Sequence, residues 1–231
     1  MSKAHQNPLT QRPRRRISAG VVVVIILILV LAAGVGVQWW RTNSGVSVDN
    51  ANAPEPTMIT PPGTSGVGVT VGQPNAKATI DLYLDFRCPH CKDFEDKTGP
   101  AINELVDSGA AKVTYWPMDF VNPDASPRLA NAWACAAAAG KARSYSDELF
   151  KSFEKTWTTD QLLELGKELG IGNQTFDTCV RDNSQAGWVD SIQGAAQQRG
   201  VTATPTVFVN GNKLGDDQLT PEGIRAAVGV S

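Results

Sequence analysis

At 231 residues the chain has room for one domain of about 150 residues plus accessory segments. A net charge of −2, with 19 % charged residues, gives no basic surface for a nucleic-acid partner. No Gly-rich phosphate loop of the G-x-x-x-x-G-K type is present.

The chain begins with a tail, residues 1–16, in which Arg12, Arg14, Arg15 and Arg16 precede an uncharged stretch over 17–40. That stretch meets the roughly 20 apolar residues needed to cross a bilayer as a helix. The arginine cluster predicts a cytoplasmic N-terminus, with Trp39 and Trp40 at the outer interface. A cleaved signal peptide is the competing reading, but its apolar core usually runs to about 7–15 residues. The expectation is therefore a single-pass cell-membrane anchor. Residues 41–68 are rich in Pro, Gly, Ser, Thr and Asn and read as a flexible linker. The topology would place everything beyond them outside the cytoplasm, where disulfides persist. All four cysteines fall in that part.

A strand is predicted over 78–86, a helix with apolar spacing at Phe94, Ile102, Leu105 and Val106, and a second strand over 112–119. Strand, helix, strand at this length reads as a βαβ unit with a parallel strand pair. A largely helical block follows over about 126–199. Ser126 before Pro127 looks like a helix start, and the Ala-rich run 129–139 has high helix propensity. Shorter helices are expected over 147–153, 160–169 and 175–181, and a longer one over 184–199. The chain returns to a strand at 206–209, and Asn210-Gly211 offers a two-residue hairpin turn.

Between the first strand and the first helix stands Cys88-Pro89-His90-Cys91. At a helix N-terminus the first sulfur lies near unpaired N–H groups and the positive end of the dipole, which favour thiolate. The second sulfur is close enough to close a small disulfide ring, so Cys88 would attack and Cys91 would resolve. A zinc site usually brings a second C-x-x-C or a His pair. Here Cys135 and Cys179 are single and far apart, and the only histidines are His5 and His90. Haem attachment needs His directly after the second cysteine, where this chain has Lys92. The pattern points to redox chemistry without metal or organic cofactor. Cys135 and Cys179 are expected either to pair as a structural disulfide or to lie buried as two free thiols.

The C-x-x-C after the first core strand, the helical insertion, and Thr204-Pro205 before a hairpin and terminal helix resemble the DsbA-like branch of the thioredoxin superfamily. The likeness covers roughly 69–231, and the Pro89-His90 dipeptide resembles that of its strongly oxidising members. It implies an α/β thioredoxin-like fold with an inserted helical domain, here preceded by one transmembrane helix. It further implies a surface-exposed, reactive Cys88, a shielded Cys91, and a His90 that helps hold the thiolate. Thr204 and Pro205 would form a cis-proline loop that binds substrate backbone. Many relatives carry a buried acid in the strand before the motif; the corresponding position here is Leu82. Asp81 reads as a surface or strand-end residue, and Asp85 as either a spectator or a participant.

The implied function is a thiol:disulfide oxidoreductase that oxidises unfolded exported proteins with free thiols and is reoxidised by a membrane thiol oxidase. Thr204 also recurs in reductase and isomerase branches, for example those serving cytochrome c maturation. A tethered binding or chaperone domain is the non-enzymatic alternative.

Overall fold

The computed structural model describes Val48 and residues 53–230. The expected anchor over 17–40 and the tail before it lie outside the described residues. No helix among the described residues is long and apolar enough to cross a membrane.

Six strands form one mixed sheet: β1 (Met58–Thr60), β2 (Val69–Gly72), β3 (Ala78–Leu84), β4 (Ala111–Pro117), β5 (Thr206–Val209) and β6 (Asn212–Lys213). Their order is β1-β2-β4-β3-β5-β6. β3 and β4 run parallel, with Ile80 opposite Val113 and Leu82 opposite Tyr115. Parallel neighbours require a crossover, and α1 (Pro89–Asp107) supplies it. The βαβ expectation holds. β5 pairs antiparallel on the other side of β3, and Asn210 and Gly211 both take positive φ, 51° and 83°, to close the two-residue hairpin into β6.

Five helices separate β4 from β5: α2 (Ala125–Ala138), α3 (Ala142–Lys151), α4 (Thr159–Glu168), α5 (Gln174–Arg181) and α6 (Ala186–Gln198); α7 (Pro221–Val228) ends the chain. The inserted helical domain is therefore present where the sequence placed it. α2 is apolar nearly all round and sits at the centre of the insertion, against α3, α5 and α6. Its Trp133 is fully buried and joins the insertion to the sheet. The ring packs against Phe86 and Tyr115 at centroid distances of 6.3 and 5.4 Å. Its Nε1 donates to the Ala142 carbonyl at 2.9 Å.

Two boundaries differ from expectation for a shared reason. The predicted linker 41–68 already carries β1, which pairs antiparallel with β2. Upstream of it, the Glu55 carboxylate accepts the Arg143 and Ser144 backbone N–H groups, each at 3.0 Å. That cap satisfies two orphan donors of the first turn of α3, so the helix starts at Ala142 rather than at 147. The partners are almost ninety residues apart, beyond the reach of local pattern. At the other helix starts, Asp124 rather than Ser126 precedes α2, and Thr158 caps α4 through a capping box with Gln161.

Candidate active site

The strand β3 ends at Leu84, and Asp85-Phe86-Arg87 carries the chain from the C-terminal end of this interior strand into α1. Cys88 is the N-cap, with extended backbone, and Pro89 occupies the first turn, where a missing N–H costs nothing. The Cys88 carbonyl accepts from the Cys91 and Lys92 N–H groups, both at 3.1 Å. Cys88 and Cys91 are present as the reduced dithiol.

The Cys88 thiol is held down to about 5. The Cys91 side-chain hydrogen bond is the main cause, acting against burial, with help from the Thr204 side chain and the Cys91 and His90 N–H groups. Cys91 moves the opposite way: it is completely buried, and burial together with the adjacent Cys88 sulfur pushes its thiol up. The Asp85 N–H lies 3.5 Å from its sulfur. The pair therefore keeps its one proton on Cys91 and its negative charge on Cys88 at neutral pH.

One expectation needs correction. Cys88 is not surface-exposed; only 4 % of the residue is accessible. The loop before β5 covers it, and its Sγ lies 3.3 Å from the Thr204 carbonyl, to which the thiol form donates. The Thr204–Pro205 peptide bond is cis. Pro89 and His90 are exposed and stand at the mouth. The His90 group that favours the thiolate is its backbone N–H.

Asp85 is the site residue that sequence left open. It is fully buried, and one carboxylate oxygen accepts from the Arg87 N–H at 2.7 Å and the Ser126 hydroxyl at 2.8 Å. The other accepts the Val121 N–H at 2.9 Å. Burial pushes its carboxyl up against these donors. Asp85 thus ties the loop before Cys88 to α2 and to the chain around Phe120 and Val121. The only signal available in sequence was its place three residues before Cys88. Asp81, by contrast, is neither exposed nor at a strand end. It lies within β3 and is half-buried, paired with Arg199 at 3.0 Å and accepting from Trp116 Nε1 at 3.2 Å. Leu82 is buried in the core.

Cys135 and Cys179 stand apart from this dithiol. Their sulfurs are bonded at 2.02 Å with Cα atoms 5.9 Å apart, linking α2 to α5. Among the described residues, no group of three or more His, Cys, Asp or Glu is placed to hold a metal ion.

A family model described as Thioredoxin matches residues 64–229. The thiol:disulfide interchange protein DsbA of Yersinia pestis is 27 % identical over 137 residues, which is 57 % of this chain and 65 % of that protein, just under two thirds of the relative's length. Among solved structures, a disulfide bond oxidoreductase (DsbG) from Mycobacterium tuberculosis in its reduced form is 29 % identical, with a TM-score of 0.54 over 68 % of this chain and 81 % of that one. The thiol-disulfide oxidoreductase MdbA from Corynebacterium diphtheriae shares the fold at 18 % identity and a TM-score of 0.64, over 78 % of this chain and all of that one. A low-pKa thiol at a helix N-terminus, a buried partner one turn on and a cis-proline loop over both are what thiol–disulfide exchange needs, and the chain belongs to the thioredoxin family as a DsbA-like thiol:disulfide oxidoreductase.

Proposed function

We propose that the protein is a membrane-tethered oxidase that introduces disulfides into exported proteins through Cys88 and Cys91. The observation that carries this reading is the opposed ionisation of the two sulfurs. A substrate thiolate attacks Cys88 Sγ of the oxidised enzyme, the Cys88–Cys91 bond breaks, and Cys91 leaves and takes up a proton. A second substrate thiolate then attacks the substrate sulfur of the mixed disulfide, and Cys88 leaves as a stable thiolate. Two electrons pass from the substrate dithiol to the enzyme dithiol. A leaving thiol of low pKa departs faster, and stabilising the reduced pair makes its disulfide more oxidising.

Pro89 and His90 border the point of attack, and Thr204 and Pro205 form the wall against which a substrate backbone would lie. Phe120 and Val121 are exposed, at 41 % and 46 %, and sit beside Asp85, offering apolar footing to an unfolded chain. A membrane thiol oxidase would regenerate the disulfide. The arginines before the apolar stretch support a cytoplasmic N-terminus, an anchor over 17–40 and a catalytic domain outside the cytoplasm.

Equilibration of the protein with glutathione tests the direction. A potential near about −120 mV is expected; one near the thioredoxin value of about −270 mV would assign it to reduction instead. In intact cells, external protease should leave 1–16 protected and remove the catalytic domain.

A further inference from the structure

Between Arg87, the first turn of α2 and the loop 152–157 lies a cavity of about 110 Å³. Arg87, Arg128 and Lys155 line it together with Trp157, and no carboxylate does. None of the three cations makes an ion pair among the described residues. Two of the lining residues also hold buried donors with nothing to donate to: Arg128 Nε and Trp157 Nε1. Trp157 is 97 % buried, given its 3 % exposure. A buried N–H without an acceptor is costly, and three unpaired cations around one small space call for an anion rather than a neutral acceptor.

The walls are already fixed in place. Arg87 Nη1 donates to the Phe153 carbonyl at 2.6 Å and the Lys155 carbonyl at 3.3 Å, with its guanidinium over the Phe153 ring. Arg128 Nη2 donates to the Trp157 carbonyl at 3.2 Å, and the Lys155 ammonium stands 4.6 Å from the centre of the Trp157 ring. Donors held by backbone lose little freedom when a ligand arrives. The volume equals a few waters at roughly 30 Å³ each, enough for one carboxylate and its methylene. Arg87 directly precedes Cys88, so one wall of the cavity is joined to the reactive cysteine by a single peptide bond.

We propose that this cavity binds a carboxylate carried by the substrate polypeptide close to its reacting cysteine. The inference rests on the oxidoreductase reading for its substrate, and would make the enzyme favour cysteines with an acidic neighbour.

The test uses full-length Cys91→Ser protein, which retains Cys88, and single-cysteine peptides activated as thionitrobenzoate disulfides. The Cys88 thiolate attacks the peptide sulfur, an enzyme–peptide disulfide forms, and thionitrobenzoate leaves as the coloured thiolate. One Glu is walked through three positions on each side of the peptide cysteine, with Gln as its isostere. At one or more positions the Glu peptide should react about tenfold faster than its Gln partner, the ratio supplied by about 1.4 kcal/mol. High salt should erase the difference, and Arg128→Gln and Lys155→Gln should each bring the Glu peptide to the Gln rate. Equal rates at all positions, or a preference that survives both substitutions, would overturn the proposal. So would an acetate-induced shift of the Trp157 indole N–H resonance without any peptide preference, since the cavity would then take free anions only. The readout needs only attack by Cys88. Failure of the wild-type protein to oxidise two-cysteine peptides would therefore count against the oxidase reading, while the Glu/Gln ratio still decides the carboxylate site.

Discussion

Removal of the Cys88 thiolate provides a quantitative test of the site, because its ionisation is linked to the stability of the reduced domain. The thiol falls from 9.0 to about 5 on folding. A group whose folded pKa is depressed contributes stability that is fully present above the unfolded value and is lost as pH falls through the folded value. The window therefore runs from pH 9 down to 5, with a slope of about 1.4 kcal/mol per pH unit. At pH 7 the unscreened contribution is about 2.7 kcal/mol. Solvent around the exposed Pro89 and His90 next to the sulfur screens part of this and brings it to about 1–2 kcal/mol. The oxidised domain has no such ionisation, so the same free energy favours reduction and raises the potential by about 20–40 mV. The assay is urea unfolding of the reduced domain and of Cys88→Ser from pH 4 to pH 8. The wild-type advantage should vanish near pH 4 and grow steadily above pH 5. Parallel curves across that range would refute the assignment of a stabilised thiolate to Cys88.

Asp85→Ala strips the acceptor from the Arg87 N–H, the Val121 N–H and the Ser126 hydroxyl, and is expected to cost about 2–4 kcal/mol in chemical denaturation, with Asp85→Asn costing less. Cys135→Ala with Cys179→Ala opens a link spanning 44 residues and should cost on the order of 3–4 kcal/mol in the chain-entropy model, read from urea midpoints. Glu95, on α1 one turn beyond Cys91, has a buried Oε1 with no partner; burial and Asp147 push its carboxyl up to about 8. Because the folded value lies above the unfolded one, the stability linked to its proton is lost as pH rises towards 8. Glu95→Gln should therefore stabilise the domain at pH 8 relative to wild type, by about 1–3 kcal/mol, and far less at pH 5. Equal effects at both pH values would show that the carboxyl is not desolvated.

Much of this architecture follows from local pattern. The β-branched and aromatic run of β3, the apolar spacing of α1, the alanine-rich α2 and the Asn210-Gly211 turn each depend on residues within a few positions of one another, where propensity and periodicity act directly. The place of the two cysteines at a strand-to-helix junction is local too, and with it the identity of the attacking sulfur. Tertiary structure alone decided what surrounds them. Thr204 reaches Cys88 across 116 positions and buries it. Ser126 reaches Asp85 across 41 and turns an ambiguous carboxylate into the tie between the active-site loop and the insertion. Glu55 caps α3 from 88 positions away, which moves the helix start and orders part of an expected linker. Arg128 and Trp157 converge on Arg87 only once the insertion has folded over the sheet. Burial and hydrogen-bond satisfaction are properties of neighbours in space. A residue's type fixes what it can donate, accept or ionise; which of these it does is set by the long-range packing that withholds water from it.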